Sequence, residues 1–183
     1  RRRDFTINTL AVDIGEERFG RIIDPFHGLA DAEARLIRVL HSLSFVEDPT
    51  RILRAARFEA RLGFALEPRT AELMPEASPL LARVSGARIR NELVQLFREP
   101  EPARSLARLA SVGALRAVHP SLTAGGERLP AMLEQLPEAW ATWRDASSGI
   151  QLAPAPGEHD AMALWLASHD DLLDADVGLA HLR

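Results

Sequence analysis

With 183 residues, 46% of them hydrophobic and 26% charged, and a net charge of −4, the chain has a globular composition with room for one sizeable core or two small ones. Cys is absent, which excludes disulfides, thiolate metal sites and cysteine nucleophiles. No apolar run approaches the roughly 18 residues of a membrane span and no charged-then-apolar leader opens the chain, so a cytoplasmic protein without a membrane partner is expected.

The elements follow in order. The opening Arg1-Arg2-Arg3-Asp4 lacks Met and runs straight into apolar residues, as expected of a piece cut inside a domain. Residues 5–14, 21–23 and 36–40 read as short strands or buried edges, the first two joined as a hairpin around Gly15 to Gly20, with a helical turn at 31–35. After Asp48-Pro49 the chain is helical in habit. The spacing predicts a helix over 50–62, capped by Asp48 with Pro49 at its first position and stopped at Gly63. A helix over 85–99 carries Ile89, Leu93, Leu96 and Phe97 on one face and an Arg88/Glu92 pair at i, i+4 on another. Further helices are expected at 102–112, just before Pro120, and at 160–169 and 172–182, with a Ser-, Gly- and Pro-rich linker near 145–158.

Net charge conceals an asymmetry. Residues 83–116 carry seven Arg against three acids, whereas 117–183 carry three against ten. An anionic partner would therefore meet the first two thirds of the chain, not its acidic end. The tryptophans, Trp140, Trp143 and Trp165, lie in that acidic, Leu-rich part and read as core.

One segment stands out: Glu47-Asp48-Pro49-Thr50-Arg51 and the helix behind it. At 100° per residue Arg54, Arg57 and Arg61 fall within about 60° of one another, with Arg51 a turn earlier, which makes a guanidinium stripe beside an apolar face of Ile52, Leu53, Ala56 and Ala60. Asp48, three residues before Arg51, sets a carboxylate acceptor beside a planar donor fork, and such a pair can meet the donor and acceptor edge of a base. The same spacing suits a solvated helix face with a capping Asp and ordinary salt bridges, so spacing alone leaves both readings open.

Read together, three segments are more specific. Arg2-Arg3-Asp4-Phe5-Thr6-Ile7-Asn8-Thr9-Leu10-Ala11, Ile22-Ile23-Asp24-Pro25-Phe26-His27-Gly28-Leu29-Ala30-Asp31 and Glu47-Asp48-Pro49-Thr50-Arg51-Ile52-Leu53-Arg54-Ala55-Ala56-Arg57-Phe58 occur in that order. This run resembles the class II tRNA nucleotidyltransferases, the CCA-adding, CC-adding and A-adding enzymes, and their relatives the poly(A) polymerases. A weaker likeness continues through Val84 to Leu93 and on to about residue 122.

The resemblance implies an α+β fold: a short N-terminal β remnant of a nucleotidyltransferase head (1–46), a helical neck with the nucleotide-recognition helix (47–122) and part of a helical body (123–183). It implies template-independent addition of CMP and/or AMP to the 3′ end of tRNA, with poly(A) synthesis or a non-catalytic helical RNA-binding module as alternatives. Arg3 and Asp4 would lie against the ribose and phosphates of the incoming nucleotide. Asp48 and Arg51 would read the Watson–Crick edge of CTP or ATP, Arg54 and Arg57 would add nucleotide contacts, and Glu47 would orient the reading pair. Ala87 stands where the family usually has Glu. The Mg²⁺ of the reaction would be held by carboxylates outside this chain, which is expected to contain no catalytic or metal-binding residue and to be inactive alone. Asp24 and Asp31 are assigned turn and capping roles. The partners implied are the tRNA acceptor end and CTP and/or ATP.

Overall fold

The computed structural model describes residues 3–120 and 122, and it is α+β with helix predominating. Around a 3₁₀ turn at Thr6–Asn8 the N-terminal segment leads into a hairpin of β1 (Ala11–Val12) and β2 (Ile22–Ile23), paired antiparallel with Ala11 opposite Ile23. Helix α1 (Gly28–Glu33) and strand β3 (Leu36–Ile37) follow, then a short α2 (Ser44–Glu47) and the central helix α3 (Thr50–Leu62). Strand β4 (Ala65–Leu66), helix α4 (Pro68–Ala77), a 3₁₀ segment at Ser78–Arg83, and helices α5 (Gly86–Phe97), α6 (Pro102–Ser111) and α7 (Ala114–Val118) complete the described part. No described helix is long and apolar enough to cross a membrane.

α3 organises the core. Its Ile52, Leu53, Ala55 and Ala56 are buried, and it packs against both α5 and α6. The helix starts at Thr50 with Pro49 in the capping position, one residue later than expected, while Asp48 Oδ1 accepts from the Thr50 N–H at 3.2 Å; it ends at Gly63, where φ of +63° suits a residue without a Cβ. On α5 the expected face is buried, with Ile89, Leu93, Leu96 and Phe97 no more than 5% exposed. Each such large side chain contributes about 1.5–3 kcal/mol relative to exposure. Leu106 and Leu109 of α6 and Leu115 of α7 extend the same core.

Two expectations are corrected. Residues 5–14 do not form one strand: Phe5 makes a single bridge to Val39, Thr6–Asn8 turns, and only Ala11–Val12 is extended in the hairpin. The cause is Phe5, which is fully buried against Phe58 edge to face at 5.7 Å, while the Thr6 N–H binds the Arg38 carbonyl at 2.9 Å. Nor is the chain after Gly63 wholly helical. Turning back at Gly63 brings Ala65–Leu66 beside Leu36–Ile37 as a parallel pair, so the N-terminal segment and the helices share one core.

Asp24 does cap: its carboxylate accepts from the N–H groups of Gly28 and Leu29 at 2.7 and 3.0 Å, and those bonds hold it below the usual carboxylate range. Asp31 lies inside α1 and instead ties that helix to its neighbours, accepting from Thr6 Oγ1 at 2.6 Å and from Arg38 Nε at 3.1 Å. The expected linker at 145–158, the helices at 160–169 and 172–182, the body at 123–183 and the three tryptophans lie outside the described residues.

Candidate functional site

Three sequence-distant segments converge at the start of α3. Phe5, anchored in the core, sets Asp4 beside the helix, and the Asp4 side chain is only 12% exposed. Its Oδ1 accepts from Arg51 Nε at 3.2 Å and its Oδ2 from Arg54 Nη1 at 2.8 Å. Arg51 is buried and also donates from Nη1 to the Ser44 carbonyl at 3.0 Å, with Glu47 Oε2 at 3.9 Å. Arg54 donates a second bond, from Nε to Glu92 Oε1 on α5, at 2.8 Å. Burial works against the Arg54 charge, but the bonds to Asp4 and Glu92 outweigh it and hold the guanidinium more firmly protonated than usual.

Asp48 sits at the edge of this cluster, half-buried. Its Oδ1 accepts from Thr50 N at 3.2 Å, Thr50 Oγ1 at 2.7 Å and Arg88 Nη2 at 2.8 Å. Burial alone would raise its pKa, yet the Thr50 hydrogen bonds and the positive charges of Arg88 and Arg54 leave it lowered. Asp48 and Arg51 share the first turn, where the Arg51 N–H binds the Asp48 carbonyl at 3.1 Å, but their side chains take different partners. The guanidinium turns inward to Asp4 and Ser44, and the carboxylate lies beside Thr50 and Arg88.

The rest of the stripe is paired as well. Arg57 Nη1 lies 3.6 Å from Glu99 Oε1 and its guanidinium stands 5.1 Å over the Phe58 ring, while its Nε is buried without a hydrogen-bond partner. Arg61 approaches the same Glu99 oxygen at 3.8 Å. Glu47 faces His41, Nε2 to Oε2, at 3.4 Å. Arg3 is exposed beside Asp4. Of the residues singled out from sequence, Asp4, Arg51, Arg54 and Asp48 are thus brought into one neighbourhood, with Glu47 at its rim, whereas Arg57 lies farther along α3 against the C-terminal end of α5.

Sequence reasoning missed the partners from other elements: Ser44, Arg88, Glu92 and Glu99. Arg88 and Glu92 were expected to pair with each other along α5; instead Arg88 reaches Asp48 and Glu92 receives Arg54. The i, i+4 spacing that suggested a local pair also places two opposite charges one turn apart on a face toward α3, and stronger partners wait there. Nothing in the linear order distinguishes the two outcomes.

Residues 1–38 match the family described as "Poly A polymerase head domain", and residues 63–125 match "Probable RNA and SrmB- binding site of polymerase A". The A-adding tRNA nucleotidyltransferase of Geobacter sulfurreducens is 50% identical over 123 residues, covering 66% of this chain and 14% of that protein. The CC-adding tRNA nucleotidyltransferase of the same organism is 40% identical over 129 residues, covering 70% of this chain and 28% of that protein. Among solved structures, the complex of a CCA-adding enzyme with CTP is 34% identical with a TM-score of 0.78, covering all of this chain and 41% of that one. A tRNA nucleotidyltransferase complexed with a primer tRNA and an incoming ATP analog is 33% identical with a TM-score of 0.74, covering 99% of this chain and 51% of that one. The chain thus spans about a third or less of the curated relatives and about half of the similar structures. The head and RNA-binding matches together cover more than half of the chain, with the start of α3 lying between them, and the chain belongs to the tRNA nucleotidyltransferase and poly(A) polymerase family.

Proposed function

We propose that this chain is the nucleotide-selecting part of a template-independent tRNA nucleotidyltransferase that adds CMP and/or AMP to the 3′ end of tRNA. The observation that carries the proposal is the convergence of Asp4, Arg51, Arg54 and Asp48, drawn from segments up to 50 residues apart, at one helix start. In this reading residues 1–46 belong to the head, 47–122 form the neck and 123–183 the body. Exposed Val12, Ile14 and Phe19 on the hairpin offer apolar surface for further head residues.

Selection without a template requires protein groups to match a base edge by hydrogen bonding, because a mismatched base leaves a polar group unpaired at a cost of about 1–3 kcal/mol. Asp48 supplies an acceptor for an amino group, which cytosine and adenine carry and uracil and guanine lack at the corresponding edge position. Arg51 supplies the donor; since its guanidinium is turned inward to Asp4 and Ser44 in this structure, reading a base requires it to turn from one of those partners. Arg3 and Asp4 face the ribose and phosphates, Arg54 and Arg57 are further nucleotide contacts, and Glu47 orients the pair. Because Asp4 already accepts from two guanidinium groups, a ribose hydroxyl would join or displace one of them.

Mg²⁺ would activate the attacking hydroxyl and steady the leaving pyrophosphate. Among the described residues no three His, Cys, Asp or Glu side chains are grouped to hold a metal ion, and the proposal assigns that role to carboxylates outside this chain. The RNA partner is the tRNA acceptor end, held mainly through phosphate charge. Identity is higher to the A-adding than to the CC-adding enzyme of one organism, 50% against 40%, which favours AMP as the nucleotide added.

The test is steady-state kinetics on the full-length protein with primer tRNA and each of the four nucleoside triphosphates. Arg51→Ala and Asp48→Asn are expected to lower discrimination for ATP or CTP over GTP and UTP by tenfold or more. Unchanged kcat/KM ratios across all four nucleotides in both variants would overturn the reading.

A further inference from the structure

The Asp48 carboxylate is unevenly occupied. All three of its hydrogen bonds, from Thr50 N, Thr50 Oγ1 and Arg88 Nη2, converge on Oδ1, and no bond among the described residues reaches Oδ2. An oxygen of an ionised carboxylate has about two lone-pair sites, so three donors saturate it. The plane of the group is then fixed from two sides: by the helix to which Thr50 belongs and by α5, which carries Arg88.

α5 does not reach Asp48 by chance of a loose side chain. One turn beyond Arg88 on the same helix, Glu92 accepts from Arg54 at 2.8 Å, and Arg54 in turn holds Asp4. The buried Ile89 and Leu93, on the neighbouring face, keep α5 in register against the core. The Arg88 side chain is 53% exposed, so the pair contributes little to stability; its effect is on direction.

We propose that Arg88, acting with Thr50, fixes Asp48 so that only Oδ2 is presented to a nucleotide base, which makes Arg88 a positioning residue that determines base specificity without touching substrate. The inference rests on the reading of Asp48 given above. A carboxylate presenting one oxygen accepts a single N–H, which the amino group of adenine or cytosine supplies. A carboxylate free to rotate presents both oxygens, and guanine, with ring N–H and amino N–H side by side, can then donate to both at once. Uracil has one ring N–H and gains less. Releasing Asp48 therefore relaxes selection in a particular direction, toward GTP.

The experiment measures kcat/KM for ATP, CTP, GTP and UTP on primer tRNA with full-length protein carrying Arg88→Ala, Arg88→Lys, Thr50→Val or Asp48→Asn, each first checked for a native unfolding transition. Arg88→Ala is expected to raise the GTP to ATP ratio of kcat/KM tenfold or more, with a smaller rise for UTP. Arg88→Lys, which keeps one charged donor, should fall between Arg88→Ala and the parent. Thr50→Val, which removes a donor to Oδ1 at nearly constant volume, should move the ratio in the same direction. If Asp48→Asn abolishes discrimination while neither Arg88→Ala nor Thr50→Val alters the GTP to ATP ratio, the positioning role is overturned and the reading of Asp48 stands. If Asp48→Asn itself leaves all four ratios unchanged, the reading of Asp48 fails and this inference fails with it.

Discussion

Asp4 and Arg51 lie 47 residues apart in the chain and 3.2 Å apart in the fold, both nearly excluded from solvent. Removing one member of such a pair strands the other charge in the interior, which costs more than the pair's net contribution. Arg54 adds a second cation on the same carboxylate, so Asp4 offsets two positive charges. Asp4→Ala is accordingly expected to lower stability by about 3 kcal/mol, toward the lower end of the range for broken buried pairs because Arg54 is partly exposed. Urea unfolding monitored by circular dichroism measures this; a loss under about 1 kcal/mol would mean that Arg51 and Arg54 find other partners.

How much of this was readable without coordinates depends on the range of the interaction concerned. The end of α3 follows from Gly63 and its start falls one residue past the expected Pro49, and the buried face of α5 follows from Ile89, Leu93 and Leu96 at helical spacing, because stop signals and periodicity are local properties. β4 was not readable. It consists of Ala65 and Leu66 alone, too short for an alternating pattern, and it is extended because β3 accepts it. The arginine stripe was visible, but its partners were not: Asp4, Glu92 and Glu99 are brought to it by tertiary packing, so a face that spacing left open to solvent or to a ligand is occupied by the protein's own acids.

Gly28 marks a close approach of two backbones. A Cβ built there would stand 2.3 Å from the Thr6 carbonyl oxygen, at a point where Asp24 caps α1 and Asp31 binds Thr6. Neither backbone can yield without breaking those bonds. Gly28→Ala is expected to cost about 1–3 kcal/mol, the range for overpacking a tight site, read as a fall in the thermal midpoint. An unchanged midpoint would require the 3₁₀ turn at Thr6–Asn8 to move freely.

Glu67 gives a pH dependence with a definite sign. It caps α4 by accepting from Thr70 N at 2.8 Å and Thr70 Oγ1 at 2.9 Å, and it faces Arg38 at 3.3 Å. Burial pushes its pKa up, but the Thr70 bonds and Arg38 leave it below the ordinary 4.5. A carboxyl depressed in the folded state contributes stability that is complete above its unfolded value and is lost as pH falls through the folded one. Glu67→Gln should therefore be less stable than the parent at pH 7, with the gap closing progressively below about pH 4.5. A gap of constant size from pH 7 to pH 3 in urea midpoints would show that the ionised carboxylate is not what caps the helix.

The α3 to α6 contact carries a two-bond clamp: Arg108 Nε and Nη2 each lie 2.7 Å from an oxygen of Glu59. Glu59 is buried and the Arg108 side chain is 40% exposed, so the pair sits between the surface and interior limits. Bonding to Glu59 outweighs burial and raises the Arg108 pKa, so the cation is retained at any ordinary pH. Discounting for solvent screening, Arg108→Ala should cost about 1–2 kcal/mol, chiefly by leaving the Glu59 carboxylate unpaired against α6. Glu59→Gln in the Arg108→Ala background removes that stranded charge and should recover part of the loss. A double-mutant cycle by urea unfolding decides between a clamp and a surface contact: coupling of 0.5 kcal/mol or more fits the geometry, and strict additivity contradicts it.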